Sequence, residues 1–429
     1  MTRILEADLT WTGERFEAGI RITIGDDGRI ASIATQDADA THAEIPVERL
    51  RGRALLPGFV NGHSHAFQRG LRGLGERFPA GAGNFWTWRE AMYDLVERMD
   101  EERIHTLSLQ AFREMRAAGV TTVGEFHYLH HRGPGADFAF DEAILAAAEA
   151  AGIRLVLLET YYQTGGIGLP LGPAQRRFEG VSPGVYWRQV DALEAKLGPR
   201  QSLGGVVHSV RAAGLDELAE IYVETRRRGL PFHIHVEEQV KEVEDCRAAY
   251  GKTPMAAVLD ACGGAEGMTA IHCTHTEPDD LDRFFATGGT ACLCPTTEGN
   301  LGDGHPGLAR VGGDRARLCL GSDSNARISF LEEMRWLEYG QRLATETRGA
   351  LRDRSGRLAP VLLRAATLGG ANALGIPAGE IAPGRHADFV AIDLNAPSLA
   401  GWQPETLPES LIFGAGEEAI AGTWVGGRG

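Results

Sequence analysis

The chain has 429 residues, of which 43% are hydrophobic and 24% charged, the proportions of an ordinary globular protein. Its net charge of −15, from 43 basic against 58 acidic residues, argues against nucleic acid as a partner. No apolar run reaches the ~18 residues of a membrane span, and Met1 to Asp8 meets an acid too early for a secretory signal, so a cytoplasmic protein is expected.

In chain order, residues 1 to about 55 read as short β runs, such as Gly19 to Ile24 and Arg29 to Ile33 around the turn Asp26-Asp27-Gly28. The apolar run Ala54 to Val60 leads into Asn61-Gly62-His63-Ser64-His65. Imidazoles at i and i+2 of an extended segment point to the same side, within reach of one metal ion. The segment Phe78 to Arg98, rich in Gly and aromatics, reads as a long loop after this strand, of the kind that forms a lid or binding element.

Further strands are expected at Val120 to Phe126, Ile153 to Glu159, Gly204 to His208, Pro231 to His235, Met268 to His272, Thr290 to Cys294 and Arg317 to Gly321. With the strand ending at His63 and His65 they make eight. Helical patterns separate them at Glu101 to Ala118, Asp141 to Ala151, Tyr186 to Leu197, Leu215 to Arg228 and Pro254 to Ala261. Gly119, Gly152, Gly198 and Gly229 stand where a left-handed helix end is wanted. This alternation predicts an α/β fold, a closed parallel (β/α)8 TIM barrel with its chemistry at the C-terminal strand ends. Residues from 378 on return to β runs, at His386 to Asp393 and Ala419 to Val425. Neither end is large enough to bury a core alone. The expected organisation is therefore 1–55 and 378–429 pairing into a small β-sandwich, with 56–377 as the barrel.

His63, His65, His235, His272 and Asp323 all fall at expected strand ends. His233 and His275 read as supporting or core histidines. The six cysteines contain no CxxC pair, and Cys273, Cys292, Cys294 and Cys319 read as small core residues.

The stretch Pro57 to His65, the later His, His and Asp, and the tail Gly379 to Val390 together resemble the amidohydrolase superfamily over nearly the whole chain. Within it, His63 to Arg69, His233-Ile234-His235 with Glu238-Gln239, Thr297-Glu298 with Asn300 to Gly304, and Glu333 to Arg342 resemble the branch that deiminates N-formimino-L-glutamate in histidine degradation. The resemblance implies one Zn2+ per chain on His63, His65, His235 and Asp323, a set of three nitrogens and one oxygen that suits zinc. It implies Glu238 as a proton carrier to the substrate nitrogen, and His272 with Asp323 as the pair that draws a proton from water. It also implies Arg89 and Arg211 as partners of the substrate carboxylates, with Gln68, Tyr128 and His208 as further substrate contacts. A homodimer is the family habit. Where relatives usually carry Ala-Pro before that histidine, this chain has Val206-Val207. Two other readings stay open: a deaminase of guanine-, cytosine- or adenosine-type rings, and a scaffold without activity. A ring site favours aromatic walls and amide readers over two arginines, and an inactive scaffold loses metal ligands.

Overall fold

A computed structural model describes residues 2–35, 45–78, 81, 83–308 and 317–429. Eight parallel strands form one sheet in sequential order: Phe59–Ser64, Val120–His127, Arg154–Tyr161, Gln201–Val207, Phe232–Val236, Met268–His272, Thr290–Leu293 and Leu318–Leu320. The ring closes where Ser64 bridges Asp323 in parallel. Every residue of the first three strands is buried, as a parallel sheet covered by helices requires.

The last strand approaches the first through Gly321. A Cβ there would stand 2.8 Å from the His63 carbonyl oxygen, so only glycine permits this contact. The seam is then latched by hydrogen bonds. Asp323 N donates to His63 O at 3.1 Å, and His65 N donates to Asp323 O at 2.9 Å. Asn61 Nδ2 donates to Ser322 Oγ at 2.7 Å. Asn325 Nδ2 reaches Ser64 Oγ, His65 O and Asp323 O at 3.0–3.1 Å.

The two chain ends join as expected into one β body, a mixed seven-stranded sheet. Arg3–Trp11 runs parallel to Val47–Pro57, whose far end pairs antiparallel with Phe389–Asp393. Leu5, Ile20, Ile22, Ile24, Ile30, Leu55 and Phe389 build its separate apolar core. A buried bidentate pair ties this body to the barrel: Arg154 donates to both oxygens of Asp388, at 2.9 and 3.1 Å.

Two local readings need correction. The segment expected as a loop from Phe78 to Arg98 is helical over Phe85–Glu97, because Asn84 and Thr87 form a reciprocal capping box at its start. Pro79, Ala80 and Ala82 of that segment lie outside the described residues. The helix expected to run to Leu197 spans Pro183–Glu194 and starts early on Pro183, behind the Ser182 cap. It ends before Gly198, which consequently is not left-handed, whereas Gly119, Gly152 and Gly229 are.

Candidate metal centre

The imidazoles of His63, His65 and His235 and the carboxylate of Asp323 meet inside the mouth of the barrel, with one ligand atom from each lying within 4.8 Å of all the others. His63 Nε2 is 3.2 Å from His235 Nε2 and 3.3 Å from Asp323 Oδ1. His65 Nε2 is 3.5 Å from the same oxygen.

The other ring nitrogens decide what these atoms carry. His65 Nδ1 donates to the Phe126 carbonyl at 2.8 Å, and His235 Nδ1 donates to the His208 carbonyl at 3.0 Å. A carbonyl only accepts, so each neutral ring presents a bare Nε2 lone pair to the centre. Burial lowers the pKa of all three histidines, and the neighbouring His63 helps take His65 down to about 3. Burial alone would raise the Asp323 pKa, but its contacts with the surrounding histidines, His63 first, hold it below the usual carboxylate range. Lone pairs converging on a carboxylate without enough protons fit a divalent cation of the zinc type.

His272 closes the strand beside them. Its Nε2 is 3.8 Å from both Asp323 Oδ2 and Glu238 Oε1, and its Nδ1 is 3.3 Å from Glu298 Oε1. Burial alone would lower the His272 pKa, but the charge of Glu238, the hydrogen bond to Glu298 and the charge of Asp323 raise it to about 10. His272 and Asp323 hold left-handed backbone, with φ of 73° and 43°, as does Glu237 at 57°. Such strain in side-chain-bearing residues collects at functional sites.

A pocket opens over this cluster. Gln68, Arg89, Tyr128, His208, Arg211 and Glu238 line it together with His65, His235 and Asp323. Gln68 Nε2 donates to the Tyr128 hydroxyl at 2.8 Å, leaving Gln68 Oε1 buried with no partner among the described residues. Arg211 lies 3.3 Å from Glu238 and 3.5 Å from Glu242. Arg89 donates to the Tyr93 hydroxyl at 2.7 Å and stacks over the Trp86 and Tyr93 rings. Val206 and Val207 simply prolong their strand in register with Thr160 and Tyr161, and His208 and Arg211 still reach the pocket. His233 is held away from the cluster by the Ala373 carbonyl at 2.9 Å.

Sequence reasoning passed over Glu298, Glu242, Tyr93 and Tyr162. Glu298 belonged to a quoted motif, but a Glu at the start of the helix Pro295–Leu301 gives no sign that it faces His272. The pairing exists only because two strands run side by side.

The family model described as "Amidohydrolase family" matches residues 54–428. The chain is 40% identical over 423 residues to the formimidoylglutamate deiminase of Pseudomonas aeruginosa, covering 97% of this chain and 91% of that protein. It superposes with a TM-score of 0.89 on the crystal structure of an amidohydrolase from Brucella melitensis, at 35% identity, covering 99% of this chain and 94% of the other. An adenosine deaminase from Xanthomonas campestris, whose structure holds bound zinc, shares the fold at 22% identity and a TM-score of 0.82, covering 99% and 92% of the two chains.

Proposed function

The chain belongs to the amidohydrolase family, and from that premise we propose that it hydrolyses the C=N bond of N-formimino-L-glutamate to give N-formyl-L-glutamate and ammonia. The observation that carries this reading is one pocket with three neutral imidazoles and a carboxylate at its floor and two guanidiniums, Arg89 and Arg211, on its wall. The substrate is its complement, a formimino head joined to two carboxylates. The 40% identity to the Pseudomonas deiminase supports the same assignment.

His63, His65, His235 and Asp323 would hold the metal, which we take to be Zn2+ on the chemistry of the donor set and the zinc of the Xanthomonas neighbour. An ion bound there supplies Lewis-acid chemistry and brings the pKa of water towards about 7. The protein's own groups move the protons. Asp323 accepts the proton that water loses as its oxygen bonds to the formimino carbon, and His272 would share it once a bound divalent ion offsets the acidic charge that otherwise keeps this ring protonated. Glu238, beside His272, delivers a proton to the imino nitrogen. Both protons of water finish on that nitrogen, C=O replaces C=N, and the nitrogen leaves as ammonia.

The remaining residues fix orientation. Arginine's planar fork matches a carboxylate with two parallel hydrogen bonds, and Arg89 and Arg211 take that role. The unpartnered Gln68 Oε1 accepts from an N–H of the substrate, and Tyr128 and His208 shape the wall. Burial, then the charge of Arg211, depress the His208 pKa well below normal, so this ring meets the substrate neutral. We place the reaction in histidine degradation, in the cytoplasm and in a homodimer. Support for this setting comes from the family resemblance and from the lack of any helix among the described residues long and apolar enough to cross a membrane.

Aromatic side chains also line the pocket, among them Trp88, Tyr162 and Phe178, and these favour a ring deaminase as the second reading. Ammonia release from N-formimino-L-glutamate, N-formimino-L-aspartate, guanine, cytosine and adenosine, measured side by side, separates the two. Turnover of the formimino acids alone is expected, and turnover of a ring alone would reverse the assignment.

A further inference from the structure

A second group of metal-type side chains lies outside the pocket. Phe126 turns into the barrel, with its ring centroid 5.1 Å from that of His63 and 4.5 Å from that of His235. Strand alternation therefore sends its neighbour His127 outwards, beneath the helices. His127 is in register with Glu159 of the adjacent strand, so Glu159 shares that outer face. Asp141, in the first turn of the helix Asp141–Ala151, and His130, in the preceding loop, close over them. Asp141 Oδ1 lies 3.0 Å from His127 Nε2 and 2.9 Å from His130 Nδ1. Glu159 Oε1 lies 3.4 Å from His130 Nδ1. All four side chains are buried.

The hydrogen bonds here do not close. His130 Nε2 lies 2.9 Å from the Thr160 carbonyl, which can only accept. A neutral ring spends its one proton there and turns a bare Nδ1 towards two carboxylates. Gln189 Nε2 donates to Asp141 Oδ2 at 2.8 Å. The Glu159 carboxyl can bond Asp141 only by carrying a proton itself, and neither of its oxygens receives a donor among the described residues. A buried carboxylate facing lone pairs is costly unless a cation or extra protons intervene.

We propose that His127 Nε2, His130 Nδ1, Asp141 and Glu159 form a second, structural site for a divalent first-row transition ion such as Zn2+, separate from the pocket. The donor atoms of His127, His130 and Asp141 lie within 4.8 Å of one another, and with Glu159 swung in from beside His130 as the fourth ligand they make a donor set such ions accept. The ion joins the second and third barrel strands to the helix that follows the second, and fixes the segment 128–140. That segment begins with Tyr128 in the pocket wall, so the ion steadies the wall without touching substrate. It adds to the single ion per chain expected at His63, His65, His235 and Asp323.

The test is metal stoichiometry. The full chain is stripped with a chelator, reloaded with Zn2+ or Co2+, freed of excess metal and assayed by elemental analysis. Two ions per chain are expected in the wild type, and one in Asp141→Asn and Glu159→Gln. Because those variants disturb a buried cluster, a second arm leaves it intact. The variant His63→Ala/His235→Ala should keep one Co2+ per chain and its d–d absorption band. One ion in the wild type together with none in His63→Ala/His235→Ala would overturn the proposal. Two ions in the wild type that persist through Asp141→Asn and Glu159→Gln would overturn it equally.

Discussion

The backbone N–H of Asp323 donates to the His63 carbonyl at 3.1 Å, while the Asp323 carboxylate stands 3.3 Å from the Nε2 of the same histidine. One contact closes the barrel and the other brings two metal-type ligands together, so the fold and the site share a seam. The chain's first and last barrel strands become chemical neighbours only through that closure.

Removing a ligand or the seam's support should therefore act on metal before anything else. Asp323→Asn is expected to lose the pocket ion and at least about 10²-fold of kcat. Asn325→Ala deletes donors to Ser64 Oγ, His65 O and Asp323 O and is expected to weaken metal affinity by about 10–100-fold, the usual effect of groups that orient ligands. Competition with a chelator of known affinity, followed by elemental analysis, measures both. Full retention of the pocket ion in Asp323→Asn would remove that residue from the ligand set.

Glu238→Gln separates proton transfer from metal binding. The amide keeps the shape and loses the exchangeable proton, so metal content should match the wild type while kcat falls by about 10²-fold or more. Parallel metal and rate measurements decide the matter. If metal is lost and the activity per bound ion survives, Glu238 supports the metal instead.

Much of this was legible from residues alone, for a physical reason. A strand buried on both faces reads as an apolar run, and a polar residue ending such a run stands at the barrel mouth, as His65, His272 and Asp323 do. The helix Phe85–Glu97 was missed although Phe85, Trp88, Met92, Leu95 and Val96 recur at helical spacing, because the Gly-rich, aromatic run leading into it reads as a loop and its start is marked only by a capping box. Glu298 was invisible because its meeting with His272 depends on which strands lie side by side, and the His127–Asp141–His130 group because it forms only through the path of the irregular segment between one strand and the helix that follows it. Sequence spacing does not encode that.

Arg89 and Arg211 should set substrate choice. Arg211 lies against Glu238 and Glu242, so an incoming carboxylate must compete with these acids for its guanidinium. Arg89→Met or Arg211→Met is expected to lower kcat/KM for N-formimino-L-glutamate by about 10²-fold or more. Replacement by Lys, a point charge without the fork, should recover little of it. Steady-state kinetics on a substrate lacking one carboxylate supplies the control. If the wild type processes it as well as the full substrate, the clamp is absent.

Stability should fall in mild acid partly through His386. Burial, then the charge of Arg154, depress its pKa to about 4, against about 6.5 in an unfolded chain. Because the folded value is the lower one, the contribution is present above pH 6.5 and is lost as pH falls from there through about 4. His386→Gln should flatten the decline of the denaturant midpoint across that window. An unchanged pH slope in the metal-loaded variant would sink this assignment.

The central claim concerns which bond breaks, and product analysis in H2 18O reads it directly. The zinc-loaded protein should convert N-formimino-L-glutamate to N-formyl-L-glutamate carrying one 18O in its formyl group, with one ammonia released per product. Formation of free L-glutamate and formamide, which requires cleavage of the other carbon–nitrogen bond, or no turnover by protein with a filled pocket site, would contradict it.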